Sequence, residues 1–272
     1  MSEMGTFGAL LREWRQHRRM SQLALATEAN VSQRHVSFLE SGRSNPSPVT
    51  VACLADALSI PLRERNVMLR TAGFAPRYAE DELGAGIDPA FMQALEAVLT
   101  HHEPFPAMVL DGRWNQVMAN AAALRFFSLF IDIEAATAAQ AGTDYQIARL
   151  CLDDRWLKPY ITNWEVVVES LLRRARLALV ANPRDEGLAG FIDEVIAHPE
   201  APAAWRAPAR STPPDPVLTM DMARDGRTWR LFTMLAHFGN PQSVTLQELS
   251  VETFFPADES TRVLFEELAA AG

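Results

Sequence analysis

The feature that most restricts this chain is a helix start signal that occurs twice, eleven residues apart: Met20-Ser21 leads to Leu25, and Val31-Ser32 leads to Val36. Each serine can accept a hydrogen bond from a first-turn N–H, and the apolar residue before it can staple onto the one four positions after it. One helix therefore runs from Ser21 to about Glu28 and the next from Ser32 to Ser41, with Gly42 suited to the left-handed position that closes a helix. Only three to four residues separate them. Thr6 caps an earlier helix with Phe7, Leu10, Leu11 and Trp14 on one face, ending near Met20. Ser47-Pro48 opens a fourth helix carrying Val51, Leu54, Ala55 and Leu58, and Pro61 opens a fifth that stops near Gly73.

Five short helices with a tight turn between the second and third make the helix-turn-helix arrangement, whose third helix enters the major groove of DNA. Burying Val36 and Leu39 turns Gln33, Arg34 and Ser37 outward at the start of that helix. Glutamine and arginine are the side chains that bond bidentately to adenine and guanine edges. Gln22, Arg43, Ser44 and Asn45 flank the helix, where phosphate contacts set register rather than sequence. The candidate DNA-contacting set is Gln22, Ser32, Gln33, Arg34, Ser37, Arg43 and Asn45.

The string SQLALATEANVSQRHVSFLESGRSNPS closely resembles the helix-turn-helix of the Xre family of phage-repressor-like domains. The resemblance maps Gln22, Gln33, Arg34 and Ser37 onto DNA-contacting positions. It makes Glu40 and Arg15 a structural ion pair tying the third helix to the first.

Charge divides the chain at the same place. Overall, 25 basic and 34 acidic residues leave −9, which argues against indiscriminate nucleic-acid binding. Met1 to Tyr78 hold ten arginines and six acidic residues, a net +4, whereas the remainder holds 15 basic and 28 acidic residues, a net −13. Two domains are expected, 1–80 and 88–272.

In the second, Asp88-Pro89 starts a helix through about His101, with Phe91, Leu95 and Val98 as its stripe. Pro106 to Leu110 and Trp114 to Asn120 then read as two strands joined at Asp111-Gly112. A long helical stretch follows, with Asn163 capping a helix of Trp164, Val168, Leu171, Leu172, Ala175 and Leu179, and a further helix over Leu188 to Ile196. Ala201 to Pro216, with five prolines, is an extended loop. Strands return: Leu218, Met220 and Met222 alternate, Asp225-Gly226 turns, Trp229 to His237 is apolar on both faces, and Gly239-Asn240-Pro241 turns. Leu249, Val251, Thr253 and Phe255 then alternate, and Asp258 to Ala270 closes the chain as a helix. The fold class is α+β: a lambda-repressor-like five-helix head, then an antiparallel five-stranded sheet with helices over one face. PAS domains share this order, and VLDGRWNQVMANAAALRFF resembles their opening hairpin and helix.

EPFPAMVLDGRWNQVMANAAA, NWEVVVESLLRR and VTLQELSVETFFPADE, behind an Xre-type head and the bridge LRERNVMLRTAGFAPRY, resemble the MmyB-like family of bacterial regulators over nearly the whole chain. The resemblance implies a C-terminal PAS-like ligand-binding domain, a long-chain fatty acid as ligand type, and dimerisation. Trp114, Met118, Phe126, Phe127, Trp164, Trp205, Phe232 and Phe254 form an apolar inventory able to line a pocket or fill a core. The pocket candidates are Trp114, Met118, Phe126, Phe127, Trp164, Phe232 and Phe254, with Arg149, Arg155 or Lys158 to meet a carboxylate headgroup.

No catalytic residues are expected. The chain has no Gly-x-Ser-x-Gly elbow, no phosphate loop and no dinucleotide fingerprint, and Asp153-Asp154 and Glu266-Glu267 pair only along the chain. His101-His102 diverge on a helix, His237 falls in a strand read as buried, and Cys53 and Cys151 lack a partner pattern, so no metal and no cofactor is expected beyond a bound fatty acid as effector. No apolar run reaches the roughly 18 residues of a membrane span. The expected partners are a double-stranded DNA operator, a small apolar ligand and a second copy of the chain, in the cytoplasm. An acidic protein-interaction module and a lipid-acting enzyme domain are the alternatives.

Overall fold

The computed structural model describes residues 6–80, 89–206, 219–239 and 241–271. Two compact units emerge, one built on the chain up to residue 81 together with 181–183 and 240–247, the other on the remainder. The expected start of the second domain at residue 88 lies outside the described residues.

The first unit contains α1 (Phe7–His17), α2 (Gln22–Glu28), α3 (Gln33–Glu40), α4 (Pro48–Ala57) and α5 (Leu62–Thr71). Thr6, Ser21, Ser32 and Ser47 cap the first four, each side-chain oxygen accepting from the N–H three residues on. The C-termini share one closure. Arg19, Asn30, Gly42, Ser59 and Gly73 lie in the left-handed region. The next N–H in each case bonds back into the last turn, from Met20 to Arg15 O, Val31 to Ala26 O, Arg43 to Phe38 O, Ile60 to Ala55 O and Phe74 to Leu69 O, at 2.8–3.0 Å. Met20 and Val31 thus each seal one helix and staple the next, and both pack on the core of Leu11, Trp14, Leu25, Val36, Leu39, Leu54 and Met68. The first helix, expected to reach Met20, ends at His17 because this closure consumes Arg18 and Arg19.

Further along are α6 (Pro89–His101), β1 (Ala107–Leu110), β2 (Gln116–Ala119), α7 (Ala121–Ser128), α8 (Ile133–Ala139), α9 (Gln146–Leu150), α10 (Trp164–Ala181) and α11 (Glu186–Ala197). Then come β3 (Thr219–Arg224), β4 (Arg227–His237), α12 (Val244–Glu248), β5 (Ser250–Pro256) and α13 (Glu259–Ala271). The strands form one antiparallel sheet in the order β2-β1-β5-β4-β3, the fold class expected. Asn120 anchors its start. Its Oδ1 accepts from Ala107 N and Ala123 N, and its Nδ2 donates to Leu99 O and Phe105 O, so one buried amide ties α6, β1 and α7 together.

Several local expectations change. The Asp111-Gly112 hairpin is a longer loop: the Asp111 carboxylate accepts from Arg113 N and Asn115 N, and Trp114 sits at φ +56°. Strand β2 therefore begins at Gln116, and Trp114 packs instead with Tyr145 and Phe191. Asn163 precedes α10, but its side chain bonds the backbone of Thr219 and Asp221 on β3. On α6 the covered residues are Leu95 and Leu99, whereas Val98 is exposed. Strand β4, expected to be apolar and covered on both faces, is exposed from Thr233 to His237, so His237 is no buried histidine. Leu218 and Asn240, parts of the expected third strand and of the turn before β5, lie outside the described residues, as does most of the proline-rich loop.

Candidate DNA-reading helix and ligand cavities

Helix α3 is set by what its inner face touches. Val36 and Leu39 are buried, and the Glu40 carboxylate is wholly covered. Arg15 on α1 grips that carboxylate with two bonds, Nε to Oε1 at 2.6 Å and Nη2 to Oε2 at 2.9 Å, while its Nη1 donates to Met20 O. Arg12 approaches at 3.5 Å. Burial alone would push Glu40 up, but Arg15, Gln22 and Arg12 outweigh it and hold the carboxyl below its ordinary value. The ion pair implied by the resemblance is therefore present and orients α3 against α1.

Gln33 and Arg34 stand exposed on the opposite face, and Ser37 is half-buried beside them. The Arg34 guanidinium rests 5.1 Å from the Phe38 ring, which limits where it can reach. Ser32 accepts from His35 N and keeps its own hydroxyl proton to offer. Arg43 and Asn45 are exposed just past the left-handed Gly42. Gln22 differs from the rest: half-buried, it donates to Glu40 Oε2 at 2.9 Å and so braces α2 against α3.

The second unit holds two partly open apolar cavities. On the inner face of the sheet, Met108, Leu110, Leu231 and Phe254 belong to a core with Phe126, Trp229 and Phe265, but two apolar cavities remain beside it. The first, about 120 Å³, lies among α7, α8 and α9 and is lined by residues such as Ala123, Ile133, Ala136 and Leu150. The second, about 130 Å³, lies between α10 and the strands, with Val167, Leu171, Met220 and Phe254 in its wall. Phe127, Ile147 and Leu157 line both, so one wall of three side chains separates them.

Of the aromatic candidates, Trp114, Phe127 and Phe254 line the second cavity. Met118, Phe126, Trp164 and Phe232 line neither. Met118 is half-buried on the edge strand β2, and Phe126 is fully buried among Phe127, Phe130, Trp229 and Phe265. Trp164 donates to Cys151 O and packs on Trp205. Phe232 pairs with Phe255 on the other face of the sheet, where the two rings stack at 5.2 Å.

The headgroup candidates are occupied elsewhere. Arg149 is paired with Glu194, Arg155 with Asp153 at 2.6 Å, and Lys158 with Glu200 and Asp154 at 2.5 and 2.9 Å. Arg174 and Glu252, which sequence reasoning passed over, face the second cavity with 3.6 Å between Nη1 and Oε2. The Arg174 guanidinium lies 4.4 Å over the Trp114 ring. A signal existed for both. Arg174 interrupts the α10 stripe of Val167, Leu171 and Ala178, and Glu252 shares the inward face of β5 with Phe254. Cys151 completes the titratable lining; burial first, and then the charge of Glu252, push its thiol up to about 12, far from thiolate chemistry. Among the described residues, no three His, Cys, Asp or Glu side chains could hold a metal ion, and no helix is long and apolar enough to cross a membrane.

A helix-turn-helix unit followed by a sheet-and-helix unit with two apolar cavities, matched by the two sequence models below, defines a DNA-binding regulator with a ligand-binding domain. The helix-turn-helix sequence model matches residues 11–65, and that of the MmyB-like transcription regulator ligand binding domain matches residues 91–268, more than half of the chain. The chain belongs to the MmyB-like transcription regulators. Solved structures similar to it include the restriction-modification controller protein C.AhdI from Aeromonas hydrophila, 35% identical over 24% of this chain and 98% of its own, with a TM-score of 0.22. An RNA-binding light-oxygen-voltage receptor is 11% identical over 97% of this chain and 62% of its own, with a TM-score of 0.30. No curated protein matches the sequence.

Proposed function

We propose that this regulator acts in the cytoplasm as a homodimer whose C-terminal domain senses an elongated apolar molecule of fatty-acid type. The observation that carries the reading is the pair of apolar cavities sharing the wall of Phe127, Ile147 and Leu157. The lining of both is mostly apolar, and a hydrocarbon chain pushing that wall aside could occupy the two together. Each copy presents Gln33, Arg34 and Ser37 to base edges, with Ser32, Arg43, Asn45 and Gln22 at the backbone, and a two-fold pair of such helices matches half-sites about 34 Å apart. The ligand controls DNA binding only by favouring one dimer arrangement over another, since equal affinity for both would shift nothing.

The experiment is to denature freshly purified protein, extract it with organic solvent and identify what is released by mass spectrometry. DNA binding is then compared before and after the extracted molecule is restored. A stoichiometric long-chain acid that changes operator affinity is the expected result. An extract empty relative to a control protein, together with DNA binding indifferent to added fatty acids, overturns the sensor reading and raises a protein partner in its place.

A further inference from the structure

Among the described residues, Arg174 and Glu252 are the only oppositely charged pair in the lining of the second cavity, whose other described members are apolar apart from Ser170, Thr219, Thr233 and the Cys151 thiol. Both are half-buried, and a pair drawn this far out of water repays its desolvation only with good geometry. The geometry here is loose. At 3.6 Å the ion pair is longer than the 2.6 and 2.9 Å bonds by which Arg15 grips Glu40, so its neighbour holds the guanidinium less tightly. Trp114 holds the guanidinium plane from one side.

We infer that Arg174 and Glu252 form the headgroup site of the cavity, taking a carboxylate-bearing amphiphile together with one proton from solvent. This rests on the apolar-ligand reading above and adds to it the chemistry of the head. Arginine's fork suits a carboxylate bidentately. A ligand carboxylate on Arg174 would, however, stand beside the Glu252 carboxylate, and two carboxylates crowded at one half-buried cation favour protonation of one of them. The proton goes to Glu252, which then donates a hydrogen bond to the ligand instead of repelling it. Burial, the largest influence, already pushes Glu252 above the ordinary carboxylate range, with Arg174 and Thr233 opposing. Other groups do not compete for that proton. From α10 comes Arg174, lowered by burial against the pull of Glu252; beyond α9 comes Cys151, a thiol throughout; from β1 the opposed residue is Met108; and on β4, Thr233 and Leu235 face Glu252, with His237 next along that face at the strand's exposed end.

The test uses the full chain with dodecanoate and dodecanol as probes. Because the complex holds a proton that the ionised free site lacks, dodecanoate affinity falls as pH rises through the range in which Glu252 ionises, by up to about tenfold per unit, while dodecanol affinity stays level. Calorimetry in buffers of different ionisation heat, which needs no variant, gives an uptake approaching one proton per dodecanoate and none for dodecanol. Glu252→Gln flattens the dodecanoate profile and binds it more tightly than wild type at the alkaline end of that profile. Arg174→Gln loses dodecanoate at least tenfold and keeps dodecanol. Dodecanoate binding that takes up no proton, an unchanged slope in Glu252→Gln, or binding of dodecanol alone overturns the inference and leaves the apolar-ligand reading standing. Binding of neither probe overturns that reading, and this inference with it.

Discussion

A Cβ placed on Gly8 would lie 2.4 Å from the carbonyl oxygen of Leu39. The closeness of α1 to the end of α3 thus depends on a missing side chain, and the obstructing atoms are backbone, with Glu40 O at 2.8 Å as well. Gly8→Ala should force the two helices apart and cost about 1–3 kcal/mol, as overpacked cores do. Urea denaturation of the variant beside wild type measures it, and a loss below about 0.5 kcal/mol would mean that the helices separate freely.

Glu40→Gln removes the charge and replaces one of the two oxygens that accept from the Arg15 fork with a donor, while keeping the volume. At neutral pH the expected loss of stability is about 1–3 kcal/mol. Since the native carboxyl is held below its ordinary value, the stabilisation is complete above the unfolded-state value of about 4.3 and disappears as pH falls through the native one. Unfolding curves of wild type and variant should therefore converge on acidification. Curves that stay parallel would show that the charge of Glu40 contributes nothing.

Arg34→Ala should cost about 1–3 kcal/mol at a selected operator and relax the preference at one base position. Arg43→Ala should instead weaken all sequences alike and lower the dependence of log affinity on log salt by about one unit. Binding titrations on selected and scrambled duplexes at several salt concentrations separate the two roles. An unchanged base preference in Arg34→Ala assigns reading to another side chain.

Ala136→Leu adds three carbons to the wall of the first cavity, where Ala136 is covered. The ligand-free protein should hold its stability or gain about 0.5–2 kcal/mol, while dodecanoate raises its melting temperature less than it raises that of wild type. Thermal unfolding with and without dodecanoate reads both, and an equal ligand-induced rise in the two proteins would place the chain elsewhere.

The first eighty residues were readable because their signals are local. Ser21, Ser32 and Ser47 act within four residues, and the staples Met20 and Val31 reach only the next turn. What was missed is non-local or split between the faces of one strand. Phe254 and Phe255 are adjacent aromatics of equal hydrophobicity, yet one lines a cavity and the other stacks on Phe232 across the sheet, a difference set by register. Trp114 looked like the start of a strand, but the Asp111 carboxylate holds its loop in another shape. Arg174 and Glu252 are far apart in sequence, and each resembles a solvated charge until the sheet and α10 bring them together. Arg149, Arg155 and Lys158 were equally plausible cations, and only the carboxylates already beside them decide against them.

The two cavities also bear on how long a molecule of this regulator survives. Unfilled space in a core forfeits contacts that the surrounding side chains would otherwise make. An occupant supplies those contacts and lowers the fraction of molecules that open far enough for a protease to cut. With an effector bound as proposed, the wall of Phe127, Ile147 and Leu157 would tie effector supply to protein lifetime: a cell rich in the effector would hold more of the regulator, and one starved of it would clear the empty form, with no change in transcription of its gene.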